Sequence, residues 1–330
     1  MKRRTIAAGI GLGALGLATR PAHAQTVLRY AHVGFEGDIQ YWYAEEFAKQ
    51  VNARLAGRRQ VNVFPAGQLG GVQETIDGVR SGAVAIAHHE YSSLAPLLPE
   101  MAVFNAPFIY RDGPHAMRAT DPNNAELMKE LNEKLIRTRG VRIIGRLYRG
   151  ARQMTAKMAV HSPADLANKP FRGVPIRLWT SMIKGFGANP TPVEVQELTT
   201  ALLTGLVIGQ ENPLTMINAN KLYEVQSHVM LTSHMQNVLP VFVNERAWQA
   251  MTPADREAVT QIAEQVGQQT LEQGMRAERE LIAELTRRGM TFVTEENGLK
   301  LAEFRTSVNR QIREDFPDWG PLIERISAVP

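Results

Sequence analysis

The chain contains no cysteine. That absence excludes disulfides, thiolate metal sites and a cysteine nucleophile. A G-x-S-x-G elbow and an H-E-x-x-H pair are also missing, so two common hydrolase signatures are excluded. An excess of one charge is lacking once the N-terminus is set aside. Of 37 Lys and Arg residues, Lys2, Arg3, Arg4 and Arg20 fall in the first 24 positions, which hold no acid; the remainder carries 33 basic against 33 acidic residues. The sequence pI of 9.4 therefore owes much to that short segment, and the footprint of a nucleic-acid-binding protein is absent. Beyond the N-terminus there is no run long enough to span a membrane, no low-complexity tract and no internal repeat.

What is present at the front reads as an export signal. MKRR is a basic n-region, the following apolar stretch is too short for a membrane span, and Ala22-His23-Ala24 is a small-x-small cleavage site before Gln25. Residues 1–24 are thus expected to be a signal peptide leading to the periplasm. Arg3-Arg4 leaves the general secretory and twin-arginine routes both open. Gly11, Gly13 and Gly16 satisfy G-x-G-x-x-G, but no strand precedes them and the segment is expected to be removed, so no nucleotide site is read there. About 300 residues remain, enough for two domains with substantial cores.

The first half alternates between strand and helix periodicities, which predicts an α/β arrangement with partly parallel strands. VLRYAHV, VNVFP, VAIAHHE and VRIIGRLY read as strands; residues 39–55, 71–80 and 115–137 read as helices. After Gly150 come short helices at 179–186 and 195–205 and the strands VIGQE and SHVMLT, a second α/β lobe. HMQNVLPVFVN reads as a separate strand returning to the first lobe, so the chain is expected to cross between lobes more than once. Lobe I is predicted over 25–149 plus about 236–275, and lobe II over 150–235 plus about 276–330. Thr252 as N-cap, Pro253 at the first helical position and Arg287-Arg288 before Gly289 predict a long helix across both lobes, with Gly267 and Gly274 as points where it bends.

Within 152–212, Arg152 and Arg172 stand beside turn-forming residues. A guanidinium fork matches a carboxylate in bidentate fashion and stays charged at any accessible pH. Carboxylate capture is the functional reading, and a surface or carbonyl-capping arginine is the bland one. His88 and His89 are adjacent on a strand and point to opposite faces, while His228 and His234 lack helical ligand spacing, so no metal or cofactor is expected.

A set of motifs in fixed order carries a resemblance: VNVFPAGQLGG, VRSGAV, PEMAVFNAPFIYRD, GARQMT, SPADLANKPFRGVP, GANPTPVEVQEL, GQENPL with NANKLYEV, and VNERAW. In these the chain resembles the DctP-type extracytoplasmic solute-binding proteins of TRAP (tripartite ATP-independent periplasmic) transporters, over nearly the whole sequence after residue 24. The resemblance implies a two-lobe periplasmic-binding-protein fold, hinged closure on a small organic acid, delivery to a small and a large integral membrane subunit, a mostly monomeric state and no catalysis. It implies that Arg172 binds the ligand carboxylate, with Arg177 as the fallback because Gly173 disturbs the Arg-Val-Pro motif. Arg152 resembles a second arginine near the carboxylate, Asn212 an amide bonding it, and Glu90 a first-lobe residue facing ligand hydroxyls or amines. Ile208 stands where the family usually has Asp. Trp179 is either a flat wall for the ligand or a core residue. The implied ligands are dicarboxylates, sugar acids, sialic acid and keto or aromatic acids, Glu90 favouring a hydroxylated one. Two other functions stay open: a secreted enzyme with Glu90 or Asp165 as acid or base, and a receptor serving a sensor kinase.

Overall fold

A computed structural model describes residues 26–330; the expected signal segment lies outside the described residues. The predicted alternation appears as strand β1 (Thr26–Ala31), helix α1 (Ile39–Arg54), strand β2 (Arg59–Phe64), helix α2 (Val72–Ser81) and strand β3 (Ile86–His88). β1 pairs in parallel with both β2 and β3. Tyr43, Phe47 and Val51, four residues apart on one face of α1, are buried against Leu28, Tyr30 and Val61 of the sheet. Each large apolar side chain so buried contributes about 1.5–3 kcal/mol.

Turns at Tyr91–Leu94 and Pro99–Asn105 lead to α3 (Gly113–Ala119) and α4 (Glu126–Arg139), where the sequence predicts one helix over 115–137. Pro122 separates them. The residue before a proline disfavours helical backbone, and the Asp121 carboxylate accepts hydrogen bonds from the backbone N–H groups of Asn123 and Asn124, a turn that replaces the helical ladder.

The chain continues through β4 (Val141–Ala156), β5 (Pro170–Gly173), α5 (Arg177–Gly185), β6 (Asn189–Pro192), α6 (Leu198–Thr204), β7 (Gly209–Pro213), α7 (Leu214–Ala219) and β8 (His228–Asn244). SHVMLT and HMQNVLPVFVN are one strand, contrary to the prediction of two. β8 lies antiparallel to β4 from end to end, and the interruption at Ser233, with φ 40°, is absorbed as a register shift between Arg152/Met235 and Met154/Met230. The sheet order is β2-β1-β3-β8-β4-β7-β5-β6, with β9 (Thr291–Val293) paired to β8. β4 and β8 therefore join the half holding β1–β3 to the half holding β5–β7. The expected changes of lobe at residues 150 and 236 fall inside these two strands.

Helix α8 (Glu245–Gln249) precedes α9 (Pro253–Arg287), and α10 (Leu301–Asp315) and α11 (Gly320–Ser327) follow β9. α9 starts where its signals place it: Thr252 Oγ1 accepts the Asp255 N–H at 3.1 Å. Its 35 residues span about 52 Å at 1.5 Å per residue. The helix runs unbroken through Gly267 and Gly274. A Cβ on Gly267 would stand 2.3 Å from the Arg146 carbonyl oxygen, and one on Gly274 2.8 Å from the Tyr148 ring. These glycines permit close approach to β4. The result is a two-lobed α/β fold with α9 bracing the crossing strands.

Candidate functional site

Among the described residues four arginines are buried: Arg146, Arg149, Arg152 and Arg172. Taking a guanidinium out of water costs several kcal/mol unless an anion and hydrogen bonds replace the hydration, so the partner of each one is informative. Arg146 pairs with Asp121 and Glu264. Arg149 pairs with Asp38 at 2.6 Å. Arg152 pairs with Glu211 at 2.5 Å and Glu90 at 3.1 Å. Arg172 has no carboxylate within ion-pairing distance among the described residues; its Nε donates to the Val193 carbonyl oxygen at 2.9 Å.

Arg149, Arg152 and Arg172 line one chamber together with His89, Glu90, Glu194 and Asn212. The presence of both Arg149 and Arg152 in its wall depends on a local irregularity. Residues three apart on a regular strand face opposite sides. Between Tyr148 and Ala151, however, β4 advances three residues while β8 advances two, and Gly150 takes φ 104°. The extra residue is a β-bulge that turns both guanidinium groups to one face.

Arg152 is the fixed centre of a polar network. Glu211 receives its Nε and one terminal nitrogen, and also accepts from Trp179 Nε1 at 2.6 Å. His234 Nε2 lies 2.9 Å from the same carboxylate, and its Nδ1 lies 2.8 Å from Thr232 Oγ1. Burial pushes the Glu211 carboxyl up, but the Arg152 charge and its hydrogen bonds, with His234, outweigh this and hold it at about 2. Burial lowers the His234 imidazole despite Glu211, so the neutral ring donates from Nε2. Glu90 accepts from Asn105 and Asn237 besides Arg152; burial raises its carboxyl against the pull of the arginines.

Arg172 differs. It is 2% exposed, and its pKa falls to about 10, burial being the largest cause, opposed by Glu211 and reinforced by Arg152. At neutral pH it remains a cation. Glu194 lines the same wall and accepts the backbone N–H of Val72 at the start of α2, so a residue that follows β6 is anchored to a helix of the other half. That contact bridges the two halves at the chamber wall. The chamber holds about 40 Å³, little more than one water molecule occupies, and too little for an organic acid.

Of the residues singled out in sequence, Arg172, Arg152, Asn212 and Glu90 meet in this chamber. Asn212 donates from Nδ2 to Gln210 Oε1 at 2.7 Å. Trp179 is fully buried, with the Arg152 guanidinium 5.3 Å over its ring, and supports the network from behind instead of forming the chamber wall. Arg177 is exposed, donates to the Asp315 carbonyl oxygen and lines an adjoining hollow of about 650 Å³ with Phe316 and Trp319, which shares Val72 and Glu194 with the chamber. That larger hollow has no buried charge at its wall, whereas the smaller one has four, Glu90, Arg149, Arg152 and Arg172. Asp165, the alternative acid or base, is the cap of a turn: its carboxylate accepts from the N–H groups of His161 and Ser162. Gly173 has Trp179 Cβ 3.4 Å from the position of a Cβ. Ile208 packs against the main apolar core.

Sequence reasoning missed Arg149, Asp38, Glu211, His234 and Asn237 as members of this network, and His89 as part of the chamber wall. Glu211 adjoins Asn212 in GQENP and Arg149 precedes GAR, but the contacts that give them meaning are long-range.

A sequence model described as bacterial extracellular solute-binding protein, family 7, matches residues 30–317. The chain is 26% identical to the 2,3-diketo-L-gulonate-binding periplasmic protein YiaO of Escherichia coli, over 100% of both chains. It is 30% identical to a solute-binding protein of Verminephrobacter eiseniae, over 89% of this chain and 87% of that one. A solved TRAP periplasmic solute-binding protein of Roseobacter denitrificans, with bound 3-deoxy-D-manno-oct-2-ulosonic acid, superposes with TM-score 0.85 at 26% identity, covering 93% of this chain and 100% of that one.

Proposed function

The chain belongs to the bacterial extracellular solute-binding proteins of family 7, and on that premise we propose that it captures a small organic acid through Arg172 and delivers it to the membrane subunits of a TRAP transporter. Solute binding, not catalysis, is what this family does. The observation that carries the carboxylate reading is the contrast among the chamber's cations. Arg149 and Arg152 each hold a protein carboxylate, and Arg172, equally buried, holds none among the described residues. A ligand carboxylate supplies the missing anion.

Capture then follows from elementary electrostatics. With the halves apart, Arg172 is hydrated and attracts acids weakly. Closure seats Glu194 on the start of α2, removes water and lowers the screening around the new ion pair. Only the closed form makes contacts from both halves, so ligand shifts the population toward it, and a membrane partner distinguishes loaded from empty protein by shape. Arg152, its charge already matched, positions the chamber wall and Asn212 completes it. Residues 1–24 act as the signal that brings the protein to the periplasm. The relatives' ligands, a diketo sugar acid and a ulosonic acid, point to an oxygen-rich acid for this chain as well.

A thermal-shift screen tests the proposal. Sugar acids at about 100 times their Kd should add about 2.7 kcal/mol of stability, while the corresponding amides and neutral sugars leave the melting temperature unchanged. Stabilisation by neutral compounds only would refute carboxylate capture.

A further inference from the structure

The chamber holds a second polar group that the carboxylate reading leaves unused. His89 follows β3 directly and lies in the chamber wall, 7% exposed, and its Nδ1 has no hydrogen-bond partner among the described residues. Two other buried histidines, His32 and His88, also leave Nε2 without a partner among the described residues, but neither lines the chamber; the remaining two are used on both sides. His115 bonds the Arg111 N–H and the Ile326 carbonyl, and His234 bonds Thr232 and Glu211. An imidazole nitrogen left without a partner in such a place costs as much as a lost hydrogen bond.

We propose that His89 is a specificity-determining residue that hydrogen-bonds a hydroxyl group of the acid held by Arg172, and that the solute is therefore a hydroxylated monocarboxylic acid. This rests on the carboxylate reading and extends it. A neutral imidazole presents one donor and one acceptor, and a hydroxyl, being both, matches either tautomer. Burial, then the charges of Arg149, Arg152 and Arg172, hold His89 down at about 3, so the ring offers no cation to a second carboxylate. The two remaining arginines of the chamber are already neutralised, and Glu90 and Glu194 on the same wall repel another anion. A dicarboxylate is thus disfavoured and a hydroxyl favoured at this end. The place suits recognition, since β1 and β3 are parallel neighbours and ligands of α/β sheets gather at the carboxyl ends of such strands.

The test is calorimetry with L-galactonate and D-erythronate against hexanoate, butanoate and glutarate. Wild-type protein should bind at least one of the hydroxylated acids about tenfold or more tighter than its deoxy counterpart, the scale of one well-made hydrogen bond. His89→Leu should remove most of that preference with little change for the deoxy acid, and His89→Gln should restore part of it. In the wild-type protein, where folding is not in question, the His89 imidazole ¹⁵N resonances should move on addition of the hydroxylated acid and stay in place with hexanoate. Binding that needs Arg172 but ignores hydroxylation, or unchanged preference in His89→Leu, overturns the His89 assignment alone. Tightest binding of glutarate overturns the monocarboxylate class. No binding of any acid overturns both this inference and the carboxylate reading.

Discussion

Replacing Arg172 with methionine should make the closed form more stable in the absence of acid while it stops binding. Methionine keeps most of the side-chain volume and removes the charge. In the folded protein the guanidinium stands at about 10 against an ordinary 12.5. The depression means that the folded state holds this proton less firmly than the unfolded chain, so at neutral pH the charge costs stability, and that cost disappears as pH rises from about 10 through 12.5. At 1.36 kcal/mol per pH unit the cost is about 3 kcal/mol. The substitution also loses the hydrogen bond to Val193, worth about 1 kcal/mol. The net expectation is a gain of about 1–2 kcal/mol for the closed form, and up to a few degrees in Tm for a chain of this size, less to the extent that opening already hydrates Arg172. Affinity for the acid should fall by about 2–5 kcal/mol, the range for truncating one member of a desolvated charge pair. Arg152→Met is the control, because it strands Glu211 and Glu90 in the interior and should destabilise by about 3–5 kcal/mol. Differential scanning calorimetry and titration calorimetry on both variants decide the matter. If Arg172→Met is as destabilising as Arg152→Met, or retains affinity within twofold, Arg172 is structural and the reasoning fails.

Other consequences can be measured on the same protein. Glu211 stands at about 2 against an ordinary 4.5, so its contribution is complete above pH 4.5 and is lost as pH falls toward 2; the stability gap between wild type and Glu211→Gln should narrow by about 3 kcal/mol over that interval, and a gap independent of pH would contradict the ion-pair assignment. Gly267→Ala would gain up to about 1 kcal/mol on an exposed helix, but here its Cβ meets the Arg146 carbonyl, and a loss of about 1–3 kcal/mol in denaturant unfolding is expected. Glu194→Gln weakens an anion seated on the start of α2, worth about 0.3–1 kcal/mol; stopped-flow release of the bound acid should quicken severalfold at most, and an unchanged rate would remove Glu194 from the closing contact.

Local signals made much of this molecule legible. The strands before Gly150 and the limits of α9 could be read because periodicity, capping and proline placement are properties of neighbours in sequence. The division of α3 from α4 was missed although Pro122 was visible, because the apolar spacing on either side remained in phase. The joining of two predicted strands into β8 was not legible at all. Nothing near Ser233 reveals that β4 is long enough to hold both pieces in register.

The difference between Arg152 and Arg172 shows where such reading ends. Both stand beside turns, and in sequence both offer the same fork. Strand register separates them. Arg152 lies opposite Pro213 and Met154 opposite Glu211, so Glu211 is the diagonal neighbour of Arg152 on one face of the sheet, within reach of a long side chain. Arg172 lies opposite Thr191 on β6, and the pairing of Phe171 with Gly209 on the other side brings it beside Gln210. Neither cross-strand neighbour is a carboxylate. The sheet thus gives one arginine an anion of its own and denies it to the other, and the one denied is free to take its anion from outside.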